Sequence, residues 1–195
     1  MKHQNGHQPQ MDTQQLATSP PEILAPAGNK ASFLAAIAAK ADAVYCGLKI
    51  FSARMAAKNF TIEEFSALVD LAHKQGVKVF VAFNSLLKPD ELIQAGQFLD
   101  LLQCQVKPDA IIIQDLGMVS LIKQTGFSGE VHLSTLANAS FPAALQIIRQ
   151  HLHVDRVVLP RELNVDELKT LARECPTDLD LEVFIHGALC YGVSG

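Results

Sequence analysis

From Pro21 onward the chain alternates between two hydrophobic periods. Short runs rich in Val and Ile predict strands at 22–25, 43–46, 78–83, 110–114, 131–134, 156–159 and 181–185. Longer stretches of helical period lie between them and predict helices at 30–40, 62–75, 90–103, 117–124, 141–151 and 165–173. The boundaries carry their own chemistry. Thr61, with Glu63 and Glu64 behind it, starts a helix, and Gly76 stops it. Asn164 with Glu167 three residues on has the form of a capping box. Pro108, Gly126 and Pro176 fall in turns.

Strands this apolar are covered on both faces, which requires a parallel sheet with crossover helices. The fold class is therefore α/β. About seven β/α units in a row fit an incomplete, TIM-like (β/α) barrel better than a doubly wound sheet, since a complete barrel takes about 250 residues. Residues 1–20 are polar, Gln-rich and aperiodic, and are expected to form a disordered tail ahead of a barrel domain at 21–195. His3 and His7 belong to that tail. No G-x-G-x-x-G follows a strand, and Gly28 alone reads as a turn glycine.

Composition narrows the picture. Hydrophobic residues make up 49% of the 195 and charged residues 18%, as in a globular protein. The formal net charge of -4 gives no electrostatic reason to expect nucleic acid or an anionic membrane. No apolar run approaches the roughly 18 residues of a membrane span, and the N-terminus lacks the apolar core of a secretory signal. Cys46, Cys104, Cys175 and Cys190 are widely spaced and form no C-x-x-C pair, so the expected setting is a reducing cytoplasm.

In a β/α barrel, chemistry gathers at the carboxyl ends of strands. There the sequence places Tyr45 with Arg54 beyond it, Asn84, Gln114 with Asp115, Ser134 with Thr135, Arg161 with Glu162, and His186 with Cys190. The amino ends carry Lys78, Asp109 and Asp155, which read as solvated. Two alternatives stay open. Arg161 and Glu162 form either a salt bridge on the rim or a substrate contact. Asp115, followed by Gly117, is either a site residue or the cap of the next helix.

The last stretch, L-E-V-F-I-H-G-A-L-C-Y-G-V-S-G at 181–195, runs a strand into a histidine, a glycine turn and a cysteine. Glu182, Phe184, Gly187, Ala188, Leu189 and Cys190 resemble the signature of the peptidase U32 family, the collagenase-like proteases and their relatives. The resemblance extends through E-I-L-A-P-A-G-N at 22–29, A-D-A-V-Y-C-G at 41–47, F-S-A-R at 51–54, Asn84, Q-D-L-G at 114–117, Ser134 and L-P-R-E-L at 159–163. Lys40 departs from it, standing where Gly commonly precedes A-D-A-V-Y. Leu136 departs as well, standing where Gln commonly follows the Ser-Thr pair. The signature's second cysteine would fall two positions past Gly195, so the chain is expected to be the N-terminal part of something longer.

That resemblance implies one of two chemistries. Some members are called peptidases. Others are iron–sulfur proteins needed for oxygen-independent hydroxylation of RNA bases or of the ubiquinone ring. By the second, Cys190 is the first ligand of a [4Fe–4S] cluster whose other ligands lie outside this sequence, so no stable cluster is expected on this chain alone. Asp115, Arg161, Glu162 and His186 are then the expected catalytic residues, with Tyr45, Arg54, Asn84 and Ser134 binding the substrate, an RNA or a small molecule. By the first, Cys190 pairs with His186, or Asp115, Glu162 and His186 hold a metal. Neither H-E-x-x-H nor G-x-S-x-G occurs. A third expectation is an inactive truncated barrel that works only with a downstream C-terminal domain or a partner chain. Open barrel edges would favour self-association.

Overall fold

The computed structural model describes residues 20–48, 50–52 and 60–187. The expected tail lies outside the described residues apart from Pro20, and so do Arg54 and Cys190. Seven strands, β1 (Leu24–Pro26), β2 (Ala43–Gly47), β3 (Lys78–Phe83), β4 (Ala110–Ile113), β5 (Glu130–Leu133), β6 (Arg156–Val158) and β7 (Asp180–Glu182), form one sheet in sequence order. Every pairing is parallel. Six helices alternate with them: α1 (Lys30–Ala38), α2 (Ile62–Lys74), α3 (Leu92–Leu101), α4 (Gly117–Gln124), α5 (Pro142–Ile147) and α6 (Val165–Glu174). The predicted elements are all present, most displaced by a residue or two at their ends, and β7 stops at Glu182, three residues short of the predicted end. The largest change is in α3 and α5, whose last turns widen into π-helix at Leu102–Val106 and Ile148–Leu152.

The two faces of the sheet carry different cores. The outer face, with Val44, Cys46, Val79, Val81, Phe83, Ile111, Ile113, Leu133 and Val157, packs against the helices in the main hydrophobic cluster. The inner face holds a separate, smaller cluster of Ala43, Phe80, Ala110 and Ile112, flanked by Leu24 and Tyr45. Beside it the inner face turns charged. Arg156 on β6, 8% exposed, donates to Glu22, just ahead of β1, at 2.7 Å and to Asp180 on β7 at 3.2 Å, and lies 3.7 Å from Glu182. Lys78 on β3 reaches the same Glu22 at 3.1 Å. In a flat sheet, β1 and β6 would stand about 24 Å apart, five steps of roughly 4.8 Å. A 2.7 Å contact between Arg156 and Glu22 therefore requires the sheet to curl into a barrel wall, with β1 and β7 as its two edges.

His132 on β5 is fully buried in this layer, edge-on to Phe80 with ring centroids 4.7 Å apart. Its Nε2 lies 2.7 Å from a carboxylate oxygen of Glu130. Burial pushes the His132 pKa down, outweighing the Glu130 hydrogen bond, so the ring is neutral and Nε2–H donates. Glu130 is held below the usual carboxylate range by that bond. The hydrogen bonds from Arg156 and Lys78 overcome desolvation to lower Glu22, whereas burial raises Glu182.

The charges at the amino ends are not simply solvated, contrary to the reading of the sequence. Asp42, Asp109 and Asp155 each stand one residue before an even-numbered strand. Each accepts a backbone N–H at the start of the preceding strand, from Ile23 at 2.8 Å, Val79 at 2.7 Å and Val131 at 2.9 Å. The repeat satisfies an edge donor and fixes the parallel register three times over. Lys78 is committed to Glu22. The helix starts follow the expected chemistry, with reciprocal caps at Thr61–Glu64 and Asn164–Glu167 and a further one at Asn29–Ser32.

The departure at Lys40 has a structural meaning. Helices α1 and α2 end alike. The N–H of Lys40 donates to Ile37 O and that of Ala41 to Ala36 O, just as Gly76 and Val77 donate to His73 O and Ala72 O. This hydrogen-bond pair needs a left-handed residue after the cap. Gly76 adopts it at φ +72° without steric cost, whereas Lys40 is held there at φ +58° with a Cβ. Lys40→Gly is expected to stabilise the fold by about 1 kcal/mol, read from the denaturation midpoint; a loss of stability would show that the lysine side chain contributes more than its backbone costs.

The inner layer sets a pH dependence. Because the folded His132 pKa is depressed, the unfolded chain takes the proton first. Stability is complete above the ordinary histidine value of 6.5 and falls as pH drops through it. Glu22 and Glu130, also depressed, extend the loss below 4.5, and Glu182, raised, opposes it. Urea unfolding between about pH 7 and 5 should show a slope of up to 1.4 kcal/mol per pH unit that His132→Gln flattens; an unchanged slope in the variant would assign the titration elsewhere.

Candidate functional site

Parallel topology puts all seven carboxyl ends at one end of the sheet, and Asn84, Asp115, Ser134, Arg161, Glu162 and His186 follow strand ends there, whereas Tyr45 is the middle residue of β2, paired with Phe80. Tyr45, on β2, is half-buried against the inner cluster, and its carbonyl accepts the Ala27 N–H at 2.8 Å. Asn84 follows β3 directly and is half-buried. Ser134 follows β5 and is 4% exposed; its N–H donates to Ile113 O at 2.6 Å and its Oγ accepts from Leu136 N–H at 3.3 Å. Leu136, the second departure noted above, thus meets the serine through its backbone.

Asp115 takes the capping role left open by the sequence, and adds to it. Its Oδ1 accepts the Gly117 N–H at 2.9 Å and its Oδ2 the Leu87 N–H at 3.2 Å. One carboxylate thereby ties the loop after β3 to the loop after β4. With both oxygens engaged, it is placed to shape the mouth of the barrel.

Arg161 and Glu162 form the turn after β6 and are exposed, and His186, beyond β7, is exposed as well. The Arg161 guanidinium lies over the Phe184 ring, 5.9 Å from its centroid. This contact joins the ends of β6 and β7, and the sequence had singled out Phe184 only as part of the signature. The rim also carries exposed apolar side chains. Leu86, Leu116, Phe141 and Phe184, each beyond the end of a different strand, are 67%, 48%, 56% and 46% exposed.

Sequence reasoning missed the inner charged layer entirely. Its signal was available in the polar–apolar–polar order of Glu130-Val131-His132 and Asp180-Leu181-Glu182, which inverts the pattern of a doubly covered strand. A concavity of about 710 Å³ opens at the opposite, amino end, lined by Lys78, Lys107, Asp109, Glu130 and Asp155 among others. Asp109 and Asp155 there are spent on backbone, and it lies on the face remote from the strand ends.

The described residues do not assemble a metal centre. No group of three His, Cys, Asp or Glu among them is placed to hold an ion. Cys46 is buried, which pushes its thiol pKa well up. Cys104 is exposed in the widened last turn of α3, and Cys175 donates to Leu179 O at 3.2 Å with its pKa raised, first by burial. No helix among the described residues is long and apolar enough to cross a membrane.

Comparison with known proteins agrees with this architecture. The model of peptidase family U32 matches residues 28–195. The tRNA hydroxylation protein P of Haemophilus influenzae is 36% identical over 177 residues, covering 90% of this chain and 37% of that protein. An uncharacterized protease of Methanocaldococcus jannaschii, MJ0090, is 35% identical over 177 residues, covering 89% of this chain and 42% of that protein. The chain therefore spans well under half the length of these relatives. The solved structure of the U32 peptidase Mk0906 matches with a TM-score of 0.64 over 89% of this chain and 73% of its own, at 15% identity, which is a likeness of fold. A seven-stranded parallel barrel wall and a family match over residues 28–195 make this protein a member of peptidase family U32.

Proposed function

We propose that this chain is the substrate-holding barrel of an iron–sulfur-dependent, oxygen-independent hydroxylase acting on an RNA base. The observation that carries the reading is the 36% identity to a tRNA hydroxylation protein across 90% of the chain. Hydrogen-bonding and charged side chains following several strand ends are consistent with it. Asn84 and Ser134 directly follow β3 and β5 as hydrogen-bonding groups, Tyr45 lies deeper, midway along β2, and Arg54 is assigned to the same role. Asp115 positions the loops after β3 and β4. Arg161, Glu162 and His186, exposed at the ends of β6 and β7, are the groups that contact the reacting base, Glu162 and His186 exchanging protons with it and Arg161 acting as a fixed cation.

The described cysteines do not fit a cluster, being dispersed over the outer face, α3 and the segment after α6. The cluster part of the proposal rests instead on Cys190 in the H-G-A-L-C segment, with further thiolates supplied by a downstream domain or partner chain outside this sequence. A peptidase is the second reading, favoured by the protease relative of nearly equal identity, with Cys190 as nucleophile and His186 as its base.

In the full-length protein, Glu162→Gln is expected to lower RNA hydroxylation about 100-fold while shifting unfolding by no more than about 0.5 kcal/mol. The readout is the fraction of RNA nucleosides heavier by one oxygen atom in a deletion strain carrying the variant. Equal loss of stability and activity would make Arg161–Glu162 a rim salt bridge. Thiol-sensitive cleavage of gelatin, with no change in any nucleoside, would replace the hydroxylase by the peptidase.

The cluster has a separate test. Full-length protein reconstituted with iron and sulfide without oxygen should show the broad visible absorption of an iron–sulfur centre, and Cys190→Ala should abolish or weaken it. A full spectrum in the variant would remove Cys190 from the ligand set.

A further inference from the structure

We infer that Arg161 and Phe184 form a stacking platform that receives a single unpaired RNA base at the barrel mouth; this rests on the RNA-hydroxylase reading. The two side chains come from the ends of adjacent strands, β6 and β7, and the guanidinium lies over the ring at 5.9 Å. That arrangement draws a cation to an aromatic face and holds the ring in place. Phe184 is 46% exposed, in a segment after β7 where Val183 and Ile185 are exposed as well. A phenyl ring fixed by one planar neighbour and left open is an unfinished stack, and a nucleobase is the flat, aromatic group that extends it. Phe141, 56% exposed beyond β5, and Leu116, 48% exposed beyond β4, add apolar surface on the same rim.

Charge adds no support of its own. With a net charge of -4, the chain offers little general attraction for a phosphate backbone. What it can contribute to holding RNA is contact with the base itself, which every base satisfies through its π-face. Asn84, half-buried directly after β3, is then the hydrogen-bonding group at the strand ends that can read the edge of a base.

The test uses the full-length protein and a fluorescein-labelled, single-stranded pyrimidine RNA of about 12 nucleotides, followed by anisotropy. Phe184→Leu should weaken binding about 5- to 150-fold, whereas Phe184→Tyr should keep it near wild type. Arg161→Lys, which keeps the charge and loses the plane, should weaken binding in the same direction. The Phe184→Leu deficit should stay constant between about 50 and 200 mM salt, since stacking releases no counterions. Phe184→Tyr also controls for folding, because it preserves the ring. If Phe184→Leu binds the RNA as tightly as wild type while the wild type still hydroxylates RNA, the platform is wrong and the hydroxylase reading stands. If the wild type binds no RNA but does bind a collagen-like peptide, the hydroxylase reading falls and takes the platform with it.

Discussion

The curl of the sheet depends on one guanidinium. Arg156 gathers Glu22, Asp180 and Glu182, so a side chain on the sixth strand holds the approach to the first strand and the whole inner face of the seventh. Ion pairs in the interior are costly to desolvate, and they hold only where the charges are mutually satisfied. Here the guanidinium also lies 5.4 Å from the Phe80 centroid, and Phe80 in turn meets the edge of His132. The inner layer is thus a mixed structure, with aromatic packing on one side and a charge cluster on the other. Removing Arg156 would leave Glu22 and Glu182, the two less exposed carboxylates, without their shared cation, whereas Asp180 is open to solvent.

This layer also explains why the two ends of the barrel differ. At the amino end, charges are used up. Asp42, Asp109 and Asp155 clamp the neighbouring strands, and Lys78 is paired with Glu22. At the carboxyl end, polar residues are held by backbone or by one another in ways that leave faces open, as Arg161 does over Phe184. A rigid, ion-paired base beneath a polar and aromatic mouth suits substrate binding, because the strand ends are fixed while the loops vary.

Membership of the U32 family places this mouth among proteins named both for hydroxylation and for proteolysis. The fold alone supports either, since barrels host many reactions. What distinguishes the two readings is the use of His186 and Cys190. One needs a thiolate that binds metal, the other a thiolate that attacks a carbonyl, and both place the cysteine just past the same strand. The RNA base comes first because of the identity to a tRNA hydroxylation protein across 90% of the chain.

The sequence by itself determined the alternation of elements. Strand β3 and helix α4 fall where the hydrophobic period puts them, and Thr61, Gly76 and Asn164 mark helix ends through local hydrogen bonding that needs no tertiary partner. It also determined which polar residues sit at strand ends, because parallel β/α order fixes that once the strands are known. Local pattern could not say what those residues touch. Asp115 became a tie between two loops only when β3 and β4 were paired, and Arg161 met Phe184 only when β6 and β7 were. Lys40 looked like a mere departure until its positive φ showed which backbone role it fills. Least legible was the Arg156 layer, since Glu22, Arg156 and Asp180 lie far apart along the chain and meet only across the interior of a closed curve. Periodicity reports which face a residue takes, whereas curvature decides which faces meet.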